Sequence, residues 1–136
     1  MTGNTREISV RWRERLLFEA GPSGRPANLV DGDGALATTP VEMLLVAAAT
    51  CSASDVVLIL EKQRVALEAL EVALRGTRRD EQPRRYTALH FVFTLSGVGV
   101  DETKARRAID LSLEKYCSVV ASLAPDIHVT YDVALR

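Results

Sequence analysis

Two cysteines hold most of the nucleophilic chemistry available to this chain, Cys51 in "AAATCSASDVV" and Cys117 in "KYCSVVASLAP". A thiol among alanines and serines either fills a narrow gap in a core or stands as a nucleophile where water is scarce. The 66 positions between them exclude a thioredoxin-like CxxC and a compact cysteine-rich zinc site. If the two sulfurs meet in space, a reversible dithiol–disulfide cycle becomes available. One thiolate attacks an electrophilic oxygen or sulfur, and the other resolves the product. That chemistry needs no metal or nucleotide, so no cofactor is expected.

The neighbours qualify this picture. Asp55 lies one helical turn after Cys51; a bare carboxylate there disfavours a thiolate, so a cap or an ion pair with Arg or Lys is its expected role. Cys117 sits at a helix boundary, where backbone N–H groups and the positive charge of Lys115, Arg106 or Arg107 can lower a thiol pKa. Glu42 is nine positions before Cys51, about 2.5 turns and roughly 13 Å along a helix, on the opposite face. It is therefore a poor direct partner within one subunit, an objection that weakens across a dimer interface. Arg11, Arg13, Arg15 and the loop residue Arg25 are the amino-terminal guanidinium candidates. His90 and His128 fall on different strands without metal-ligand spacing.

The elements that position these groups follow from periodicity. Ile8, Val10 and Trp12 alternate as on a half-buried strand, and "RLLFEAG" and "PANLVDGDG" supply two more strands of a curled antiparallel meander. Thr39, Pro40 and Glu42 make a capping box that opens a long helix reaching about Arg64. This helix is apolar over much of its circumference, so it requires cover from a sheet or a second subunit. Its Asp55, Glu61 and Lys62 argue against a membrane span.

"LEALEVALRG" and "YTALHFVFTLSG" read as two long antiparallel strands, with Phe91, Phe93 and Leu95 on one face. Asp101 caps a second helix, with Ala105, Ala108, Ile109 and Ser112 along one face. A break at Cys117, a short helix and a final strand carrying Ile127, Val129, Tyr131, Val133 and Leu135 complete an α+β order, βββ-α-ββ-α-α-β. The 136 residues suit a single domain, 1–136. A formal charge of −1 predicts no nucleic-acid partner, and the Arg78-Arg79, Arg84-Arg85 and Arg106-Arg107 pairs read as solvated surface. "MTGNTREISV" lacks the apolar stretch of a signal peptide, which places the expectation in a reducing cytoplasm without a membrane partner.

Two segments resemble the OsmC/Ohr family. "TTPVEMLLVAAATCSASDVVLILEKQR" is similar to its long central helix, with a Pro-x-Glu-x-Leu-Leu start and a cysteine after small residues. "DETKARRAIDLSLEKYCSVVASLAPDIHVTYDV" is similar to its second signature. The resemblance implies curved antiparallel sheets around the central helix and an intertwined homodimer with two sites near the interface. It also implies that Cys51 is peroxidatic toward organic hydroperoxides and that Cys117 resolves it. Some relatives take electrons from a dihydrolipoyl dithiol. In the hydroperoxide-resistance branch an acidic residue directly after the proline pairs with an arginine. Here Val41 has that place, Glu42 follows it, and Arg25 corresponds only by loop position. Ser118 stands where many relatives have proline. These departures place the chain nearer the broader OsmC-like branch.

Three readings follow: a cysteine peroxidase with a pocket drawn from Met43, Val46, Phe91 or Phe93; a non-catalytic dimer binding a small apolar ligand; or another cysteine-based detoxification activity.

Overall fold

The computed structural model describes residues 3–136, which form two compact units divided between Leu44 and Leu45. The amino-terminal unit carries a three-stranded antiparallel sheet in the order β1 (Ser9–Glu14), β2 (Leu17–Gly21), β3 (Asn28–Asp31). Ile8, Val10 and Trp12 do not form a half-buried face as their alternation predicts: all three are exposed, Trp12 at 64%. β1 is an edge strand, and alternation reports a face suited to cover without saying what supplies it. Asp31 closes the turn after β3 by accepting the N–H groups of Asp33, Ala35 and Leu36. Those bonds hold its carboxyl below the usual range.

The long helix α1 runs Pro40–Lys62. Its capping box is formed as expected: Thr39 N–H donates to Glu42 Oε1 at 2.9 Å, and Glu42 N–H donates to Thr39 Oγ1 at 3.2 Å. At the other end Arg64 adopts φ 62°, Arg64 N–H returns to Glu61 C=O, and Val65 N–H returns to Leu60 C=O at 3.0 Å. This is a Schellman closure made without glycine. The helix contains an 18-residue window of mean hydropathy 2.1 and is long and apolar enough to cross a membrane by length and composition. It also buries Ala48, Ser52, Val56 and Leu60, one stripe at four-residue spacing, as the core helix of a folded domain does. Val46, Val57 and Leu58 remain exposed.

In the carboxy-terminal unit β4 (Ala66–Arg78) and β5 (Tyr86–Val98) pair antiparallel, and β6 (His128–Leu135) joins the far side of β5. The expectation of antiparallel sheets fails at this last strand. β6 runs parallel to β5, with Phe91 opposite Tyr131 and Phe93 opposite Val133. The segment between them is helical, and a helical crossover returns the chain to the end of the sheet where β5 began.

Leu89, Phe91, Phe93 and Leu95 are buried on one face of β5, with the two phenyl rings stacked at 5.7 Å. The core also takes Ala105, Ala108 and Ile109 from α2 (Glu102–Leu111). Asp101 caps α2 by accepting Lys104 N–H at 2.8 Å. Arg78 and Arg79 donate to the carbonyls of Arg84 and Pro83, tying together the exposed β4–β5 connection.

Candidate functional site

Cys51 lies mid-way along α1 and is partly accessible; Cys117 is buried, with 3% of its surface exposed. Both are free thiols. Their side chains are neighbours near disulfide distance, so the fold closes the 66-position gap that sequence left open.

The segment that delivers Cys117 is unusual. After α2 the chain makes one π-helical turn, Ser112–Tyr116, closed by Cys117 N–H donating to Ser112 C=O at 2.7 Å. Such a turn holds one residue more than an α-helical turn and often marks a functional position. Cys117 then leaves helical geometry at φ −72°, ψ 102° and caps α3 (Ser118–Ala121), its sulfur accepting Val120 N–H at 3.5 Å. The break and short helix were legible in the sequence. The π turn was not, because no residue type signals it.

A lowered pKa for Cys117 does not follow from its place at a helix start. Burial pushes this thiol up to about 11; the Val120 N–H opposes the shift, and the neighbouring Cys51 sulfur adds to it. A four-residue helix offers little to offset desolvation. The expected cations are engaged elsewhere. Lys115 stands over the Tyr116 ring, while Arg106 pairs with Glu102 at 3.5 Å and lies over Tyr131. Arg107 borders an open cleft of about 440 Å³ with Asp55, Leu58, Lys62 and Tyr116.

Asp55 neither caps an element nor pairs with Arg or Lys. Its Oδ2 accepts the hydroxyl of Ser112 at 2.9 Å, and Ser112 Oγ is in turn 2.9 Å from Ser52 Oγ. Both serines are fully buried. Sequence reasoning put Ser112 on one helical face with Ala105, Ala108 and Ile109 without giving it a task, and passed over Ser52. The available signal was a hydroxyl standing at apolar positions of two helices, which demands a buried partner.

Glu42 is committed to Thr39, whose N–H and hydroxyl hold its carboxyl below the usual range. Arg25 borders an open cleft with Arg6, Glu7 and Ser23. Arg13 pairs with Glu19 at 3.2 Å, and Arg15 with Asp33 at 2.9 Å. Phe91 and Phe93 do not line a pocket; both are sealed in the core. Met43 is half-buried and Val46 exposed. His90 bonds Thr130 at 2.6 Å and Asp132 at 3.2 Å across the sheet. Among the described residues no group of three His, Cys, Asp or Glu side chains is placed to hold a metal.

Known proteins resemble this chain in sequence or in fold. Protein YhfA of Escherichia coli K12 is 41% identical over 126 residues, which cover 92% of this chain and 94% of that protein. A hypothetical protein of Aquifex aeolicus has a solved structure with TM-score 0.86 at 27% identity, over 98% of this chain and 99% of that one. The organic hydroperoxide resistance protein OhrB of Bacillus subtilis superposes with TM-score 0.60 at 14% identity, over 98% of each chain, a likeness of fold. The family described as OsmC-like protein matches residues 31–132, and both cysteines lie within that span. On this match and the identity with YhfA, the chain belongs to the OsmC-like protein family.

Proposed function

We propose that the protein is a thiol-dependent peroxidase acting on organic hydroperoxides, with Cys51 as the peroxidatic and Cys117 as the resolving residue. The observation that carries this reading is the contact between the two thiols. The ionised Cys51 sulfur attacks the terminal peroxide oxygen, the O–O bond breaks, and the departing alkoxide takes a proton to become an alcohol. Cys51 is then a sulfenic acid. The Cys117 sulfur attacks it, a disulfide forms, and the hydroxyl leaves as water with the Cys117 proton. An external dithiol restores both thiols by supplying two electrons and two protons.

The division of roles is supported by electrostatics. Cys117 keeps its proton beside Cys51, so it can donate a hydrogen bond to a Cys51 thiolate and does not compete with it as nucleophile. Cys51 is also the more accessible of the two. Hydroperoxides named for relatives such as OhrB fit this chemistry. A homodimer would cover the exposed apolar positions of α1 and β1.

Intact mass after one equivalent of cumene hydroperoxide tests the reading. The reduced parent is expected to lose two hydrogens. Cys117→Ser should instead gain one oxygen, and Cys51→Ser should stay unchanged. A parent that remains reduced under excess oxidant removes the peroxidase.

A further inference from the structure

Ser112 reaches both cysteine-bearing segments at once. Its carbonyl accepts Cys117 N–H at 2.7 Å, which closes the π turn and sets the backbone from which the Cys117 sulfur projects. Its hydroxyl lies 2.9 Å from that of Ser52, the residue after Cys51 on α1. The direction of these bonds is fixed by Asp55. A carboxylate only accepts, so Ser112 donates to Asp55 Oδ2 and therefore receives the proton of Ser52. The chain Ser52 to Ser112 to Asp55 starts in full burial and ends on a partly buried carboxylate. Hydroxyls this deep are costly unless paired, so the contact holds one relative placement of α1 and the π turn against all others.

We infer that Ser112 is the positioning residue of the dithiol pair, acting through Cys117 by its carbonyl and through α1 by the Ser52–Ser112–Asp55 hydroxyl chain. Its task is to hold the two sulfurs at bonding reach in the reduced protein, which raises the effective concentration of one thiol at the other. This rests on the thiol-redox reading of the site, although it needs no peroxide.

The test is the thiol–disulfide equilibrium of the full chain in oxidised and reduced dithiothreitol, read by alkylation and intact mass. Cys51 and Cys117 each lose one hydrogen and the cyclic disulfide of the reagent gains two. Ser112→Ala and Ser52→Ala should each lower the equilibrium constant about tenfold, a shift of about 30 mV toward the more oxidising. The double variant should lose no more than the larger single change, since both break one contact. Ser112→Thr, which keeps the hydroxyl, should stay within about twofold of the parent. Values for Ser112→Ala and Ser52→Ala both within about twofold of the parent overturn the assignment.

If Ser112→Ala fails to fold by near-ultraviolet circular dichroism, Asp55→Ala, which removes the acceptor, carries the test, with a loss expected and no change overturning it. A parent that forms the disulfide here yet ignores cumene hydroperoxide removes the peroxide step and leaves Ser112 in place. A parent that forms no disulfide removes both.

Discussion

The sulfur of Cys117 accepts the backbone N–H of Val120 at 3.5 Å and is at the same time the immediate neighbour of Cys51. These two contacts oppose each other, and burial outweighs the first. The thiol should titrate near 11, above its ordinary 9.0, when followed by thiolate absorbance. In Cys51→Ser the midpoint should fall while remaining above 9.0, because desolvation is the larger cause. A midpoint below 9.0 in either protein would contradict the burial argument.

The same shift links to stability. Between 9.0 and about 11 the unfolded chain releases the Cys117 proton and the folded one keeps it. The stabilisation is therefore complete below 9.0 and lost as pH rises through 11. Tyr131, whose phenol burial also raises, adds in the same direction. Urea midpoints of the parent should decline over this window more steeply than those of Cys117→Ala.

Glu42 is held by Thr39 rather than by an arginine. Thr39→Ala should destabilise the protein by about 1 kcal/mol through loss of the cap. Glu42→Gln should retain disulfide formation with cumene hydroperoxide at the parental rate. A large fall in that rate, with the fold intact by circular dichroism, would return Glu42 to the chemistry.

Two strand glycines carry different obstacles. A Cβ at Gly97 would stand 2.5 Å from the backbone oxygen of Ala66, which is fixed in the β4–β5 ladder. One at Gly76 would meet Tyr86 Cε1 at 2.5 Å and Leu45 Cδ2 at 2.8 Å, which are side-chain atoms rather than backbone. Gly76→Ala should cost about 1–3 kcal/mol. Gly97→Ala should cost more, and the reverse order in urea unfolding would refute the distinction.

Leu58 is 57% exposed on α1, whose Val46 and Val57 are exposed with it. Sedimentation should give twice the chain mass at micromolar concentration. Leu58→Glu should shift it toward the single chain while leaving helix content unchanged. A parent that sediments as a single chain at all concentrations would rule out the dimer.

Much of this fold was legible because local rules agreed with the tertiary outcome. Thr39, Pro40 and Glu42 announced α1, Asp101 announced α2, and alternation in β5 put Phe91, Phe93 and Leu95 on one face, which the fold buries. What was missed depends on partners distant in sequence. The parallel direction of β6 follows from the path of the crossover rather than from its residues. Asp55 was expected to cap an element or pair with Arg or Lys; its partner is instead the hydroxyl of Ser112, 57 positions away. For Cys117 the sequence shows a helix start that can lower a thiol pKa and does not show the burial that raises it.

The thiols belong to elements separated by the whole β4–β5 hairpin, so the chain acquires them at different times during synthesis. At about 5–20 residues per second, roughly 3–13 s pass between the addition of Cys51 and that of Cys117. In that interval the nascent chain is a monothiol. Oxidant reaching it then has no internal partner to close upon, and only a small cellular thiol can cap the damage. On the proposed dithiol cycle, the newborn protein is thus open to adducts that the finished one would resolve with its own second sulfur.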